Sequence, residues 1–149
     1  TYVDYRYHEN GQLKQKATYK DGERNGLEEI YYENGQRKGR ATYKDGKWHG
    51  LIEGYYANGQ LKQKATYKDG NEESFPERYY ENGQRKERVT YKDGEPDGPY
   101  EQYYENGQLT ERGTYKKNWE KEGIWEKYNE NGTLVSKCFY ENGTESYCE

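Results

Sequence analysis

The composition separates this chain from an ordinary globular protein. It has 149 residues, of which 29% are apolar and 35% are charged, with a formal net charge of −4. So low an apolar fraction normally favours disorder. However, the 20 tyrosines fall in register, and each carries a large ring that can be buried beside a polar tip. No apolar run is long enough for a membrane span or a signal peptide. Because the chain lacks Met, we expect residue 1 to follow a removed or trimmed leader.

Two series of turn dipeptides alternate along the chain with a period of 24 residues. The first is Asn10-Gly11, Asn34-Gly35, Asn58-Gly59, Asn82-Gly83, Asn106-Gly107 and Asn131-Gly132, and the second begins with Asp21-Gly22, Asp45-Gly46, Asp69-Gly70 and Asp93-Gly94. Both dipeptides are strong hairpin signals because their residues tolerate positive φ. The pattern predicts an all-β protein, an elongated antiparallel β-meander of about six hairpin repeats and about twelve short strands.

The repeats follow one another without a linker. They cover residues 7–30, 31–54, 55–78, 79–102, 103–127 and 128–149. A unit of this size cannot bury a core alone and has to stack on its neighbours. We therefore expect one repeat domain over residues 1–149.

Alternation along a strand assigns the two faces of the predicted sheet. In the strand after Asn34-Gly35, residues 37, 39, 41 and 43 share one face and residues 38, 40, 42 and 44 share the other. The second set is polar in nearly every repeat. The first set, with its Ala and Tyr columns, is the expected buried face.

Charge selects the hairpin register. A two-residue loop at Asn34-Gly35 places Glu29 opposite Arg40, whereas a three-residue loop with a bulge would oppose like charges in other repeats. We therefore predict two-residue loops and a structural ion-pair ladder. Its pairs are Glu29 with Arg40, Glu53 with Lys64, Glu77 with Arg88, Glu101 with Arg112, and Glu126 with Lys137. The same register predicts Tyr56 against Leu61, Tyr104 against Leu109 and Ile52 against Ala65.

The repeat resembles the MORN repeat, and more closely the bacterial variant found in YwqK-type proteins. The likeness is clearest in Tyr43-Lys-Asp-Gly46-Lys-Trp-His49-Gly50, followed by Gly54-Tyr55-Tyr56-Ala-Asn58-Gly59. Departures are Ser74, where other repeats have Gly, an insertion near Trp119, and Asn129 in place of the second Tyr. The resemblance implies an elongated single-layer sheet that acts as a scaffold or binding surface. For the YwqK-type variant it implies an antitoxin.

The chain offers no catalytic or metal-binding constellation. His8 and His49 occupy different positions in their repeats, and no His, Cys and carboxylate cluster has metal-ligand spacing. The basic residues are interleaved with Glu, which argues against nucleic acid and membrane lipid as partners. We expect a protein that is not an enzyme and needs no cofactor.

Four tyrosines on the Glu-bearing face are the candidate binding residues, because Tyr is enriched in binding hot spots. They are Tyr31, Tyr55, Tyr79 and Tyr103. They favour a non-catalytic protein-interaction or scaffold module whose partner is another protein. Two alternatives stay open: an antitoxin that neutralises a toxin by direct binding, and lipid or cell-surface glycan binding. The oligomeric state also stays open.

The only two cysteines, Cys138 and Cys148, flank the Asn142-Gly143 turn of the last repeat. We predict that they form a disulfide that holds the terminal hairpin. A strict two-residue loop would place Cys138 opposite Tyr147, so the bridge requires a bulge in this hairpin. Disulfides persist mainly outside the cytoplasm, and we therefore expect an extracytoplasmic protein.

Overall fold

The computed structural model describes residues 1–149 and contains fifteen β-strands, one short 3-10 turn and no α-helix. The all-β prediction is confirmed, and every strand pairing in the hairpins is antiparallel. The chain forms two compact units, unit 1 over Thr1–Pro76 and unit 2 over Glu77–Glu149. A single domain over the whole chain stays a prediction.

Unit 1 is a meander with strand order β1-β2-β3-β4-β6-β7-β8, and β5 also pairs with β4. Its strands are β1 Tyr2–Tyr7, β2 Leu13–Lys20, β3 Glu23–Tyr31, β4 Arg37–Lys44, β5 Lys47–Trp48, β6 Gly50–Tyr55, β7 Leu61–Lys68 and β8 Asn71–Glu72. The interruption between β5 and β6 at His49 is one reason why the strands outnumber the twelve expected.

Unit 2 is a second meander, in which β10 to β15 pair in sequence order. Its strands are β9 Glu77–Arg78, β10 Glu87–Lys92, β11 Glu95–Tyr103, β12 Leu109–Lys116, β13 Glu120–Tyr128, β14 Leu134–Glu141 and β15 Thr144–Cys148. The 3-10 turn Lys117–Trp119 connects β12 to β13, and it contains the insertion seen in the sequence.

The Asp-Gly turns are two-residue loops. In the first of them Lys20 pairs with Glu23, and Asp21 and Gly22 have φ of 51° and 86°. Two successive residues with positive φ match the right-handed twist of the strands that they join. The same φ pattern recurs at Asp45, Asp69 and Asp93.

The Asn-Gly turns are three-residue loops, so the predicted two-residue loop is wrong. At Asn34 the loop is closed by Tyr32, whose N–H donates to the Gln36 carbonyl at 2.8 Å and whose carbonyl accepts from Gly35 N–H at 3.0 Å. The Asn34 Oδ1 accepts a further bond from Gln36 N–H at 3.0 Å. Asn34 does not have positive φ, whereas Gly35 has φ of 83°, so only the glycine takes up the left-handed conformation.

A bulge beside each Asn-Gly loop restores the register that the charges indicate. Between Gly54 and Tyr55 the pairing shifts by one residue, so Tyr55 faces Leu61 and Gly54 faces Gln63. The predicted pairs Tyr56 with Leu61 and Tyr104 with Leu109 are therefore wrong, because Leu109 faces Tyr103. The predicted pair Ile52 with Ala65 is confirmed.

Loops of adjacent repeats are joined by hydrogen bonds. In unit 1 the Asn34 side-chain amide donates to the Ala57 carbonyl at 2.9 Å, and the Tyr32 hydroxyl donates to the Tyr55 carbonyl at 2.8 Å. His8 takes the position of Tyr32 in its own repeat, with Nε2 at 2.9 Å from the Tyr31 carbonyl. This contact gives His8 a structural role.

The core lies on one face of each sheet, which we call the aromatic face. In unit 1 it contains the buried residues Ala17, Ala41 and Ala65 and the half-buried residues Tyr19, Tyr43 and Tyr67. In unit 2 it contains the buried Tyr100 and Trp125, which pack with Tyr115 at ring-centroid distances of 5.2 and 4.7 Å. The opposite face carries the glutamates of the predicted ladder, and we call it the Glu face.

Candidate interaction surface

A row of alternating charges crosses the Glu face of each unit. In unit 1 the strands place Lys16, Glu29, Arg40, Glu53 and Lys64 opposite one another in that order. In unit 2 the order is Arg88, Glu101, Arg112, Glu126 and Lys137. Each inner charge therefore has an opposite charge on both sides, an arrangement that favours the observed register.

Four of the five predicted pairs lie directly opposite each other across neighbouring strands: Glu29 with Arg40, Glu53 with Lys64, Glu101 with Arg112, and Glu126 with Lys137. Two arginines of the row also form ion pairs with the glutamate on their other side. Arg40 lies 4.0 Å from Glu53, and Arg112 lies 2.6 Å from Glu126. Arg40 and Arg112 thus contact the glutamate of the strand that follows each of them. Arg112 and the Tyr128 hydroxyl hold the pKa of the Glu126 carboxyl below its usual range. Because the guanidinium groups are about half exposed, each pair contributes only about 0–1 kcal/mol.

Two arginine positions show how the bulge changes the faces. Arg37 was predicted on the buried face with Gly39, but its Nη2 lies 2.9 Å from the Glu29 carboxylate on the Glu face. The pairing shifts between Ile30 and Tyr31, which turns Arg37 over. Arg85 in unit 2 likewise lies on the Glu face, where its Nη2 is 3.4 Å from the Glu77 carboxylate. Arg88 lies opposite Glu101 on β11, and the pairing of Glu77 with Arg88 stays a prediction.

The four candidate tyrosines are half-buried, and the hydroxyls of three of them bond to a glutamate of the Glu face. The Tyr79 hydroxyl donates to Glu77 at 2.5 Å, and the Tyr103 hydroxyl donates to Glu101. Burial, and then the neighbouring glutamate, raises the pKa of both phenols. Burial and Glu53 act on the pKa of Tyr55 in the same direction. The hydroxyls of Tyr79 and Tyr103 thus hold their glutamates in place.

An apolar column on the Glu face is the feature that the sequence analysis missed. It occupies one repeat position: Leu27, Leu51, Phe75, Pro99 and Ile124. Leu51 is 44% exposed and Ile124 is 52% exposed. Leu27 and Leu51 each lie opposite a threonine of the next strand. The signal was available in the sequence, since the position is apolar in five successive repeats of a chain with few apolar residues.

In unit 2 the apolar column continues across the sheet. Ile124 pairs with Phe139, which pairs with Tyr147. The Phe139 and Tyr147 rings stack with centroids 6.0 Å apart. Ile124 also lines a shallow pocket with Pro99, Thr114 and the charged pair Arg112 and Glu126. Apolar and charged groups thus alternate over a continuous strip of the unit 2 Glu face.

The predicted disulfide between Cys138 and Cys148 is present in the structure. The pairing of β14 with β15 shifts between Phe139 and Tyr140, and this bulge brings the two cysteines directly opposite each other. The bulge is the irregularity that the sequence analysis required. Glu145 lies close to both sulfurs, but disulfide sulfurs are not thiolates and do not ligate metal as thiolates do.

The fold defines a β-hairpin repeat protein. The model of the MORN repeat variant matches it at residues 5–21, 24–45, 48–69, 77–93, 96–117 and 121–142. The chain therefore belongs to the MORN repeat variant family. Repeats of this kind are generally protein- or membrane-interaction modules. The match gives no support to the YwqK-like antitoxin type. No curated protein matches the chain.

The structure contains no helix with the length and apolar character needed to cross a bilayer.

Proposed function

We propose that the protein is a non-catalytic interaction module that binds a partner protein through the Glu face. The observation that carries this proposal is the exposed apolar column, represented by Leu51 in unit 1 and Ile124 in unit 2. Exposed apolar strips rimmed by polar groups are typical of protein-binding surfaces. In a chain with an apolar fraction of 29%, apolar residues at one exposed position of successive repeats have no use in the core.

The charge row beside the column supports a specific rather than a general surface. Alternating Glu and Arg side chains demand a complementary order of charges from a partner, which gives specificity and register. The Tyr79 and Tyr103 hydroxyls fix their glutamates before binding. Such preorganisation lowers the conformational entropy lost when a complex forms.

The same charge pattern argues against an anionic membrane as the main partner. Membrane-binding surfaces concentrate Lys and Arg, whereas here each Arg or Lys of the row is balanced by a neighbouring Glu. A scaffold and a toxin-neutralising antitoxin would use this face alike, and the identity of the partner separates them. The disulfide supports an extracytoplasmic location, since such bonds persist mainly in oxidising compartments.

The experiment compares wild-type protein with the Leu51→Glu and Ile124→Glu variants as immobilised baits in extract of the source organism. Quantitative mass spectrometry follows the retained proteins. The matched control is Lys62→Glu, which changes an exposed β7 residue outside the column. We expect at least one protein that wild type and control retain and that both apolar-column variants lose. Retention of the same proteins by all four baits, with all variants folded, would contradict the proposal.

A further inference from the structure

Strand β1 forms an edge of the unit 1 sheet. It stands at the end of the strand order and pairs with β2 alone. An edge strand presents backbone N–H and C=O groups with which another strand can pair, and proteins often protect such edges with proline, lysine or a very short strand. β1 is six residues long, with the sequence Tyr-Val-Asp-Tyr-Arg-Tyr, and contains neither proline nor lysine. The edge is therefore open to a further strand.

The backbone groups on the open side belong to alternate residues of β1. Both the N–H and the C=O of His8 bond to the loop that leads into β2, at 2.8 and 3.0 Å. The bulge of this hairpin lies in β2, where Lys14 is the extra residue, so β1 itself alternates regularly. Since alternate residues direct their backbone groups to the same side, the even-numbered residues of β1 face β2. The outward-facing residues are Val3, Tyr5 and Tyr7.

The side chains of the three outward-facing residues lie on the Glu face. Val3 lies opposite a threonine of β2, as Leu27 lies opposite one of β4, so it extends the apolar column by one strand. Val3 is 39% exposed, Tyr5 is 49% exposed and Tyr7 is 61% exposed. Apolar and aromatic surface thus lies beside the open backbone groups.

The two charged residues of β1 lie on the aromatic face and have opposite signs. Asp4 lies opposite Ala17, and Arg6 lies opposite Gln15. Their side chains pair with each other at 3.0 Å, although that of Arg6 is 61% exposed. An exposed pair of this kind is weak, so both side chains can also pair with charges on an added strand.

An antiparallel copy of β1 complements this edge in one symmetric register. With the two Tyr5 residues opposite each other, Asp4 of each copy lies opposite Arg6 of the other, and Val3 lies opposite Tyr7. A register centred on Asp4 or on Arg6 would oppose like charges, which is unfavourable. A register centred on Val3 or on Tyr7 would leave both charges without an opposite charge. The rows of the Glu face follow the same rule within the sheet.

The backbone geometry agrees with the register that the charges select. Tyr5 is outward-facing, so the two copies can exchange both N–H to C=O bonds at this residue. Asp4 and Arg6 then fall at a position without hydrogen bonds, where opposite side chains approach most closely. Val3 and Tyr7 form a pair of a β-branched and an aromatic side chain, which stabilises antiparallel sheets.

The last strand of unit 2 lacks this self-complementarity. β15 is also the end of its sheet, but its sequence is Thr-Glu-Ser-Tyr-Cys. Because Glu145 is its only charged residue, an antiparallel copy of β15 cannot form ion pairs with it. The pattern in β1 is therefore not a general property of the edges of this fold.

We propose that β1 pairs antiparallel with β1 of a second copy of this chain, with Tyr5 at the two-fold axis. Opposite residues of antiparallel strands lie on the same face, so the two Glu faces would lie on one side of a joined sheet. Such a dimer presents two apolar columns, and its formation does not depend on the partner-binding function. One strand pair makes a small interface, so we expect association in the range of about 10 µM to about 1 mM.

Sedimentation equilibrium of the whole protein over that concentration range tests the association. We expect a monomer–dimer equilibrium for wild type and for the control Lys62→Glu, whose exposed charge lies on β7 at a distance from β1. Asp4→Arg and Arg6→Asp each place like charges opposite one another in the proposed register. Each variant alone should associate at least about tenfold more weakly than wild type.

A mixture of these two variants provides the rescue. Each arginine of one variant then lies opposite an aspartate of the other, and we expect association to return to the wild-type level. The rescue also shows that both variants fold, because misfolded chains would not regain a specific contact. A wild-type protein that stays monomeric would overturn the proposal, and so would a mixture no stronger than the single variants.

Hydrogen exchange at low and high protein concentration locates the contact. The amides of Val3, Tyr5 and Tyr7 should exchange more slowly as the concentration rises, whereas those of Asp4 and Arg6 already bond toward β2 and should change little. Dimers without added protection at the three outward-facing amides would overturn the proposal. Protection of these amides in the monomer would also overturn it, because another segment would then cover the edge.

Discussion

Equivalent positions of the two units carry different chemistry on the same backbone. At one position unit 1 has the buried Glu28, ion-paired with Arg24, where unit 2 has the buried Tyr100. At another, unit 1 has Ile52 where unit 2 has Trp125. Unit 2 therefore has a closed aromatic core, whereas unit 1 has a polar cluster beside an open pocket lined by Tyr43, Trp48 and Ile52. The turns and the strand register thus specify the fold, while the side chains at equivalent positions determine how tightly each unit is packed.

The largest expected effect is that of Trp125→Ala in unit 2. Truncation of a fully buried aromatic side chain costs about 3–5 kcal/mol of unfolding free energy. Ile52→Ala at the equivalent half-buried position should cost less, about 2 kcal/mol. Denaturant unfolding of both variants measures the difference. Equal losses would mean that the two units are packed alike.

Reduction of the disulfide between Cys138 and Cys148 should destabilise unit 2 alone. The bond closes a loop with a sequence separation of 10 residues, for which the chain-entropy model gives somewhat under about 3 kcal/mol. Hydrogen exchange should show faster exchange in β14 and β15 on reduction. Loss of protection to the same extent in β2 and β3 of unit 1 would contradict this localisation.

An added methyl group at Gly113 tests the close approach of the Trp125 ring. Gly113→Ala should cost about 1–3 kcal/mol because the ring or the strand has to move. The matched change in unit 1 is Ala41→Gly, for which we expect about 0.5–1 kcal/mol, the usual cost of Gly against Ala in a regular element. Thermal unfolding of both variants shows which of them loses more stability. A neutral Gly113→Ala would show that Trp125 does not lie on this glycine.

High pH should weaken unit 2 more than unit 1. The pKa is raised, with burial as the largest or second cause, at six tyrosines of unit 2 (Tyr79, Tyr100, Tyr103, Tyr115, Tyr128 and Tyr140) and at two of unit 1 (Tyr43 and Tyr55). A raised folded-state pKa contributes stability that is complete below the unfolded-state pKa of about 10 and is lost as pH rises above it. Hydrogen exchange measured at a series of alkaline pH values should show unit 2 strands losing protection first. Earlier loss of protection in the unit 1 strands would contradict this prediction.

Much of the fold could be predicted from the spacing of turn dipeptides, because Asp-Gly and Asn-Gly restrict φ locally. The loop length at Asn34 could not, since it depends on the bond between Asn34 Oδ1 and Gln36 N–H and on a bulge that leaves the strand register unchanged. The same bulge moved Arg37 to the Glu face against the alternation rule. The apolar column at Leu51 and Ile124 was visible in the sequence, but only the structure shows that it is exposed.

The packing of Trp125 could not be predicted from its own repeat. It depends on Gly113 of the preceding strand, where other repeats have Ala, Val or Cys, and on the Lys121 ammonium over its ring. The repeat pattern predicts the same packing at this small-residue position in every repeat. In the structure, the missing Cβ of Gly113 makes room for the buried Trp125 ring.

If each sheet has one core face and one interaction face, two adjacent residues of β13 should respond in opposite ways to the same substitution. Ile124 is 52% exposed on the Glu face, and Trp125 is 2% exposed on the aromatic face. Ile124→Glu and Trp125→Glu are compared by denaturant unfolding. We predict a change within about 0.5 kcal/mol for Ile124→Glu and a loss above about 4 kcal/mol for Trp125→Glu, because a charge would be buried without a partner. A loss for Ile124→Glu as large as that for Trp125→Glu would show that the apolar column is core, and would contradict the account.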